Sequence, residues 1–113
     1  NIAKGQKYRI VKGFYQDTIK NKTTKDLKIN KARVVMIDCD LKESTTIALE
    51  FIKPSIQEGT IILFDDYIFF KGSKDKGEYG AFEDFKKKNP EILFRRAFDY
   101  GYGSRAFIAY KVK

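Results

Sequence analysis

Residues 59–70 read GTIILFDDYIFF: a glycine turn, a run of apolar residues, then Asp65 and Asp66 side by side with Tyr67 directly after them. The same grammar appears earlier in VVMIDCDL, residues 34–41, where four apolar residues run into Asp38 and Asp40. A short continuous apolar run, rather than an alternating one, is the pattern of a strand covered on both faces, as in parallel sheets flanked by helices. Two such strands, each ending in acids, organise everything around them.

Between the two runs lies ESTTIALEFIKPSIQEG, residues 43–59. Ile47 with Phe51, and Ala48 with Ile52, are spaced four apart and place an apolar stripe on one face of a helix. Ser44, Thr45 and Thr46 are candidate caps for its start, Pro54 should end or kink it, and Gly59 turns the chain into the next strand. The unit is βαβ, with the right-handed crossover that nearly all such units adopt.

Outward from this unit the pattern is less regular. YRIV at 8–11 predicts a short strand stopped by Gly13, and the polar stretch 20–33 shows neither strand nor helix periodicity, so it predicts a loop with one helical turn. KGSKDKGEYG, residues 71–80, predicts a loop, and AFEDFKKKNPE after it a short helix ending before Pro90. ILFRRAFD and RAFIAYKV flank YGYGS, which predicts an antiparallel hairpin turning at Gly101 and Gly103.

Composition narrows the chemistry. The chain of 113 residues fits one domain, 42% of it is hydrophobic, which excludes disorder, and no apolar run approaches the ~20 residues of a membrane-spanning helix, so no membrane association is expected. There is no histidine, which removes the commonest general base and transition-metal ligand. The single cysteine, Cys39, makes no intrachain disulfide and reads as a packing residue, consistent with a reducing cytoplasmic location. Twenty-three basic and 15 acidic residues give a net charge of +8, which admits an anionic partner, but the lysines are dispersed through loops and helix ends and carry no basic-aromatic motif. Nucleic acid is therefore a weak expectation, and a solvated basic surface the stronger one. The start, NIAKGQKY, has neither an initiator Met nor a leader and reads as a piece of something longer.

In an open parallel sheet, ligands bind outside the carboxyl ends of the strands. If the two acid-tipped strands are neighbours, Asp38, Asp40, Asp65 and Asp66 converge on one edge. Crowded carboxylates repel one another unless a proton or cation lies among them, and oxygen ligation without His or Cys suits Mg²⁺, Ca²⁺ or Mn²⁺. Aspartates in these positions also cap helices and close Asx turns, and Asp40 is the one best placed to cap the following helix.

KGFYQDTI, IDCDLKEST and IQEGTIILFDDY, in this order, resemble the macrocin O-methyltransferase (TylF-like) branch of the class I S-adenosylmethionine-dependent methyltransferases. The resemblance implies an α/β fold: a partial Rossmann-like sheet, mostly parallel, with a C-terminal antiparallel hairpin. It forms a single domain over 1–113 that corresponds to the C-terminal portion of a methyltransferase and lacks the glycine-rich cofactor-binding half. The family's strand order, 3-2-1-4-5-7-6, would leave VVMI as an edge that either YRIVKG or a second chain pairs with. The family implies Asp38, Asp65 and Asp66 as ligands of Mg²⁺, Asp38 also as the base, Gly13, Phe14 and Asp17 near S-adenosylmethionine, and Tyr67 beside a small-molecule hydroxyl acceptor of sugar or polyketide type. Three positions depart from the pattern: Lys42 where tyrosine is usual, Thr60 where a second glycine is usual, and Gln57-Glu58 where Ser-Pro is common. Two other functions are compatible with acids at strand ends or with the charge: a metal-dependent phosphoryl-transfer or receiver-like domain, and a basic nucleic-acid-binding module.

Overall fold

The structure, a computed structural model, describes residue 5 and residues 7–113. Four strands form one open sheet: β1 (Val34–Ile37), β2 (Ile61–Phe64), β3 (Ile92–Tyr100) and β4 (Ser104–Val112), in the order β1-β2-β4-β3. That order is the 4-5-7-6 portion expected from the sequence. β1 and β2 are parallel, and β4 runs antiparallel to both its neighbours, so the parallel share is the single pair that carries the acids.

Helix α2 (Lys42–Ile52) makes the crossover from β1 to β2, and a 3-10 turn over Lys53–Ser55 places Pro54 where the helix ends. Its start differs from expectation. Lys42 is the first helical residue after Leu41, and no side chain caps it. The hydroxyls of Thr45 and Thr46 donate instead to the Leu41 and Lys42 carbonyls, 2.8 Å each, the i−4 bonding that such residues adopt inside a helix. Helix α3 (Gly77–Lys88) also starts earlier than its sequence suggests, because GEYG, with its two glycines, reads as loop. The glycines answer a packing demand: a Cβ at Gly77 would lie 2.6 Å from the Phe70 ring, and one at Gly80 2.5 Å from the Asp75 carbonyl carbon.

The core lies between the sheet and helices α2 and α3. Leu49, Ile62, Phe64 and Phe82 are fully buried there, and the Phe82 ring is 4.8 Å from that of Phe64 and 4.7 Å from that of Phe107. The i,i+4 stripe of α2 holds in part: Ile47 and Ala48 are buried, while Phe51 and Ile52 are half-buried. On the far side of the sheet Val34 is 60% and Met36 58% exposed, so β1 is covered on one face here, not on both.

Residues 8–11 form no strand. They run as irregular chain with Tyr8, Ile10 and Val11 exposed, and the outer edge of β1 has no strand partner among the described residues. A four-residue apolar segment has strand propensity, but a strand exists only through a partner's hydrogen bonds and packing. A short helix, α1 (Tyr15–Thr18), follows Gly13, and a 3-10 turn over Thr24–Leu27 is the one turn expected in the 20–33 loop. The hairpin closes as read, with Tyr100 opposite Ser104 and both Gly101 and Gly103 at positive φ. Among the described residues no helix is long and apolar enough to cross a membrane.

Phe82 is fully buried and packs on Phe64, Phe94 and Phe107 of three strands, so Phe82→Ala should cost about 3–5 kcal/mol, whereas Tyr102→Ala at the exposed hairpin tip should stay within about 0.5 kcal/mol. Urea unfolding midpoints of the two variants compare them directly. Equal midpoints would place the core elsewhere.

Candidate functional site

Parallel pairing sets the site. Ile37 lies opposite Phe64, and the Asp65 amide donates to the Ile37 carbonyl at 3.0 Å, so β1 and β2 end level with each other. Beyond that point the two chains bend differently. Asp40 takes a left-handed conformation, φ 61°, which aspartate tolerates better than most residues and which turns the chain into α2. On the other strand the chain enters a turn in which the Phe69 amide donates to the Asp66 carbonyl, 3.2 Å.

These bends bring three carboxylates together. One oxygen from each of Asp38, Asp40 and Asp66 lies within 4.8 Å of the other two. The trio differs from the expected set in one member, since Asp65 lies outside it and Asp40 inside. Asp65 and Asp66 both lie in the turn that follows β2, and only the second joins the group. Asp65 is anchored through its backbone, its carbonyl accepting a hydrogen bond from the Ser104 hydroxyl. Asp40 is free to turn inward because α2 needs no cap from it.

The electrostatics follow from the crowding. The Asp66 carboxyl is pushed up to about 7, first by sharing a hydrogen bond with Asp40, then by burial and by repulsion from Asp40, Glu78 and Asp65. Asp66 therefore keeps its proton to a higher pH than an isolated aspartate does. Negative charge is in excess at this spot, and the donor set is all oxygen.

Below the trio is a residue the sequence did not single out. Glu78, in the first turn of α3, is 0% exposed. Its Oε2 accepts from the amides of Cys39 (3.1 Å) and Asp40 (3.2 Å), and its Oε1 from the amide of Asp66 (3.0 Å). Burial raises its pKa while the three amides lower it. Its one signal in the sequence is a carboxylate flanked by small residues, GEYG, downstream of the Asp-Asp pair.

The remaining expected residues divide. Gly13 and Phe14 line a cleft of about 220 Å³ with Tyr15, Gln16, Cys39 and Ser44, so this segment adjoins the β1 end of the site through Cys39. The Cys39 thiol donates to the Tyr15 hydroxyl at 3.5 Å, and Tyr15 is pushed up to about 12, chiefly by that contact and by burial. Asp17, in α1, is exposed and is not part of the cleft lining. Tyr67, expected beside an acceptor, is 3% exposed, its ring stacked on Tyr79 at 4.4 Å and tilted against Phe107 at 5.3 Å. It is a core residue, because the turn after Asp66 folds it under the sheet end. Tyr100, not anticipated, lines a second cavity of about 220 Å³ near the hairpin, and its buried hydroxyl has no hydrogen-bond partner.

The departures from the sequence pattern have local explanations. Lys42 bonds the Asp75 carbonyl and the Asp84 carboxylate, 3.1 Å each, joining α2 to α3 and to the loop before it. Thr60 is fully buried, donates to the Ala32 carbonyl (2.6 Å) and accepts from the Gln57 amide (3.0 Å), bracing the turn into β2.

The fold is that of solved O-methyltransferase structures. The O-methyltransferase NovP matches with a TM-score of 0.64 at 22% identity, over 89% of this chain and 36% of that one. The calicheamicin methyltransferase CalS11 matches with a TM-score of 0.56 at 20% identity, over 87% of this chain and 36% of that one. In sequence, the chain is 36% identical over 59 residues to the 8-demethyl-8-(2,3-dimethoxy-alpha-L-rhamnosyl)-tetracenomycin-C 4'-O-methyltransferase of Streptomyces olivaceus, a stretch that is 52% of this chain and 21% of that enzyme. The chain therefore spans well under half the length of these relatives. The model of the macrocin-O-methyltransferase (TylF) family matches residues 3–92, and the chain belongs to that family.

Proposed function

We propose that this chain carries the metal-binding, acceptor side of an S-adenosylmethionine-dependent O-methyltransferase that uses Mg²⁺ and methylates a sugar or polyketide-like hydroxyl. The observation that carries it is the trio of Asp38, Asp40 and Asp66, three carboxylates at the carboxyl end of a parallel strand pair with no nitrogen or sulfur ligand among them. Support for the acceptor class comes from the relatives: one is named for methylating a rhamnosyl-tetracenomycin, and one CalS11 structure is described as a TDP-rhamnose 3'-O-methyltransferase.

The residues fit a hard divalent ion. Crowding against neighbouring carboxylates raises the Asp66 pKa, which marks a place where positive charge is favoured, and carboxylate oxygens are the ligands Mg²⁺ selects. Asp38, Asp40 and Asp66 would hold Mg²⁺, which would supply Lewis acidity towards the acceptor hydroxyl, while S-adenosylmethionine would supply the methyl group. The chain's own part is to hold and to deprotonate. Asp66 and Asp40 provide the charge that retains the ion, with Asp65 fixing the strand end behind them. Asp38, exposed at the tip of β1, is placed to take the hydroxyl proton. Gly13, Phe14 and Asp17 belong to the cofactor side, with Gly13 and Phe14 forming the wall of the cleft that reaches Cys39. The free edge of β1 is where a further strand or a second chain would pair.

Two outcomes test this. Asp66 is protonated more readily in the folded chain than in the unfolded one, so it favours folding at low pH and that contribution is lost as pH rises through about 7. Without divalent cation, the melting temperature should fall between about pH 5 and about pH 8; saturating Mg²⁺ should remove the fall, and Asp66→Asn should flatten it. A melting temperature indifferent to Mg²⁺ at pH 8 would refute the metal site. In the intact enzyme, Asp38→Asn should lower kcat for methyl transfer roughly 10²–10⁴-fold at saturating divalent cation, measured with a rhamnosylated acceptor. Unchanged kcat would move the base elsewhere.

A further inference from the structure

Glu78 is a buried carboxylate beneath three other carboxylates, an arrangement that repulsion and desolvation both oppose. What offsets them is three backbone amides: those of Cys39 and Asp40 at the end of β1, and that of Asp66 at the end of β2. Among the described residues no lysine or arginine pairs with it. The two oxygens divide the work, one for each strand end.

We infer that Glu78 is a positioning residue for the metal site, a clamp whose two carboxylate oxygens fix the ends of β1 and β2 at the separation that lets Asp38, Asp40 and Asp66 grip one ion. The inference rests on the metal-site reading above and adds to it the part that sets the ligands' spacing. Two of the three ligands, Asp40 and Asp66, have their own amides held by this one side chain. The trio spans a left-handed residue on one strand and a turn on the other, and the backbone hydrogen bond from Asp65 to Ile37 that joins the strands lies one residue before Asp66. Glu78 is the next tie beyond it.

The fold is shaped to deliver this side chain. Gly77 adopts φ +59°, and a Cβ there would meet the Phe70 ring at 2.6 Å and the Asp40 carbonyl at 3.3 Å. Glycine therefore lets the first turn of α3 lie against the D-x-D bend. Glutamine cannot replace glutamate in the clamp, since one of its two terminal atoms is an NH₂ that would face an N–H donor. One strand end must then be released.

The test uses the intact protein, Mn²⁺ as the probe and electron paramagnetic resonance of free Mn²⁺ as the readout. Glu78→Gln should weaken Mn²⁺ binding roughly 10–100-fold, the range for outer partners of metal ligands. Phe85→Leu, which loosens α3 in the core without touching the site, controls for stability alone and should leave Mn²⁺ affinity within about twofold. Equal weakening by both variants, or none by Glu78→Gln, would overturn the clamp. Amide exchange separates this from failure of the metal reading. If wild-type protein takes up no Mn²⁺, the metal site is wrong. Faster exchange at Asp66, or at Cys39 and Asp40, in Glu78→Gln would still mark the clamp, and unaltered exchange would remove it. Should Glu78→Gln not fold, Glu78→Asp, with both oxygens on a stem one methylene shorter, replaces it with the same expectations.

Discussion

Everything at the functional end of this molecule follows from β1 and β2 being parallel and ending level. Parallel neighbours bring equivalent ends to the same edge, and the pairing of Ile37 with Phe64 leaves no offset between them. Had the strands been antiparallel, the two acidic sequences would lie at opposite ends of the sheet, about four residues or ~13 Å apart. The crossover by α2 enforces the parallel sense, and the apolar stripe of α2 against Ile62 and Phe64 holds the crossover in place. The acid cluster is thus a consequence of core packing, although none of its members is in the core.

Much of this was legible in the sequence, and the failures share one cause. β1, α2, β2 and the hairpin were readable because each is defined by its own periodicity and its own turn residues. The D-x-D and D-D pairs were readable as strand ends for the same reason. What escaped depends on contacts between distant segments. YRIV has the composition of a strand but finds no partner edge. The exchange of Asp65 for Asp40 in the trio turns on two backbone bends, one of them a left-handed aspartate that no local rule requires. The family resemblance puts Tyr67 beside an acceptor, yet the turn carries its ring onto Tyr79. Glu78 escaped because its role is visible only once α3 is docked, while its two flanking glycines suggest a loop to any local reading.

The departures from the family pattern illustrate a related point. Lys42 and Thr60 look like losses when compared with the pattern, but each makes bonds that tie neighbouring elements together near the site: Lys42 between α2 and α3, Thr60 between the turn before β2 and the segment before β1. Neither belongs to the carboxylate trio. Both substitutions fall on the scaffold behind the carboxylates.

The distribution of charge supplies the last step. A chain with net charge +8 has cations to spare, and some of its acids are paired: Asp84 with Lys42, Glu91 with Lys53, Glu83 with Lys86, Glu50 with Lys88, and Asp99 with both Arg96 and Arg105. Such exposed pairs contribute little to stability individually, ~0–1 kcal/mol each, but they show where cations are within reach. Among the described residues none reaches Asp38, Asp40 or Asp66. The dispersed lysines act on the cluster only through solvent, where screening sets in beyond about 8 Å at physiological salt. Three carboxylates with a further buried carboxylate beneath them thus crowd at one sheet edge with no lysine or arginine in salt-bridge reach among the described residues.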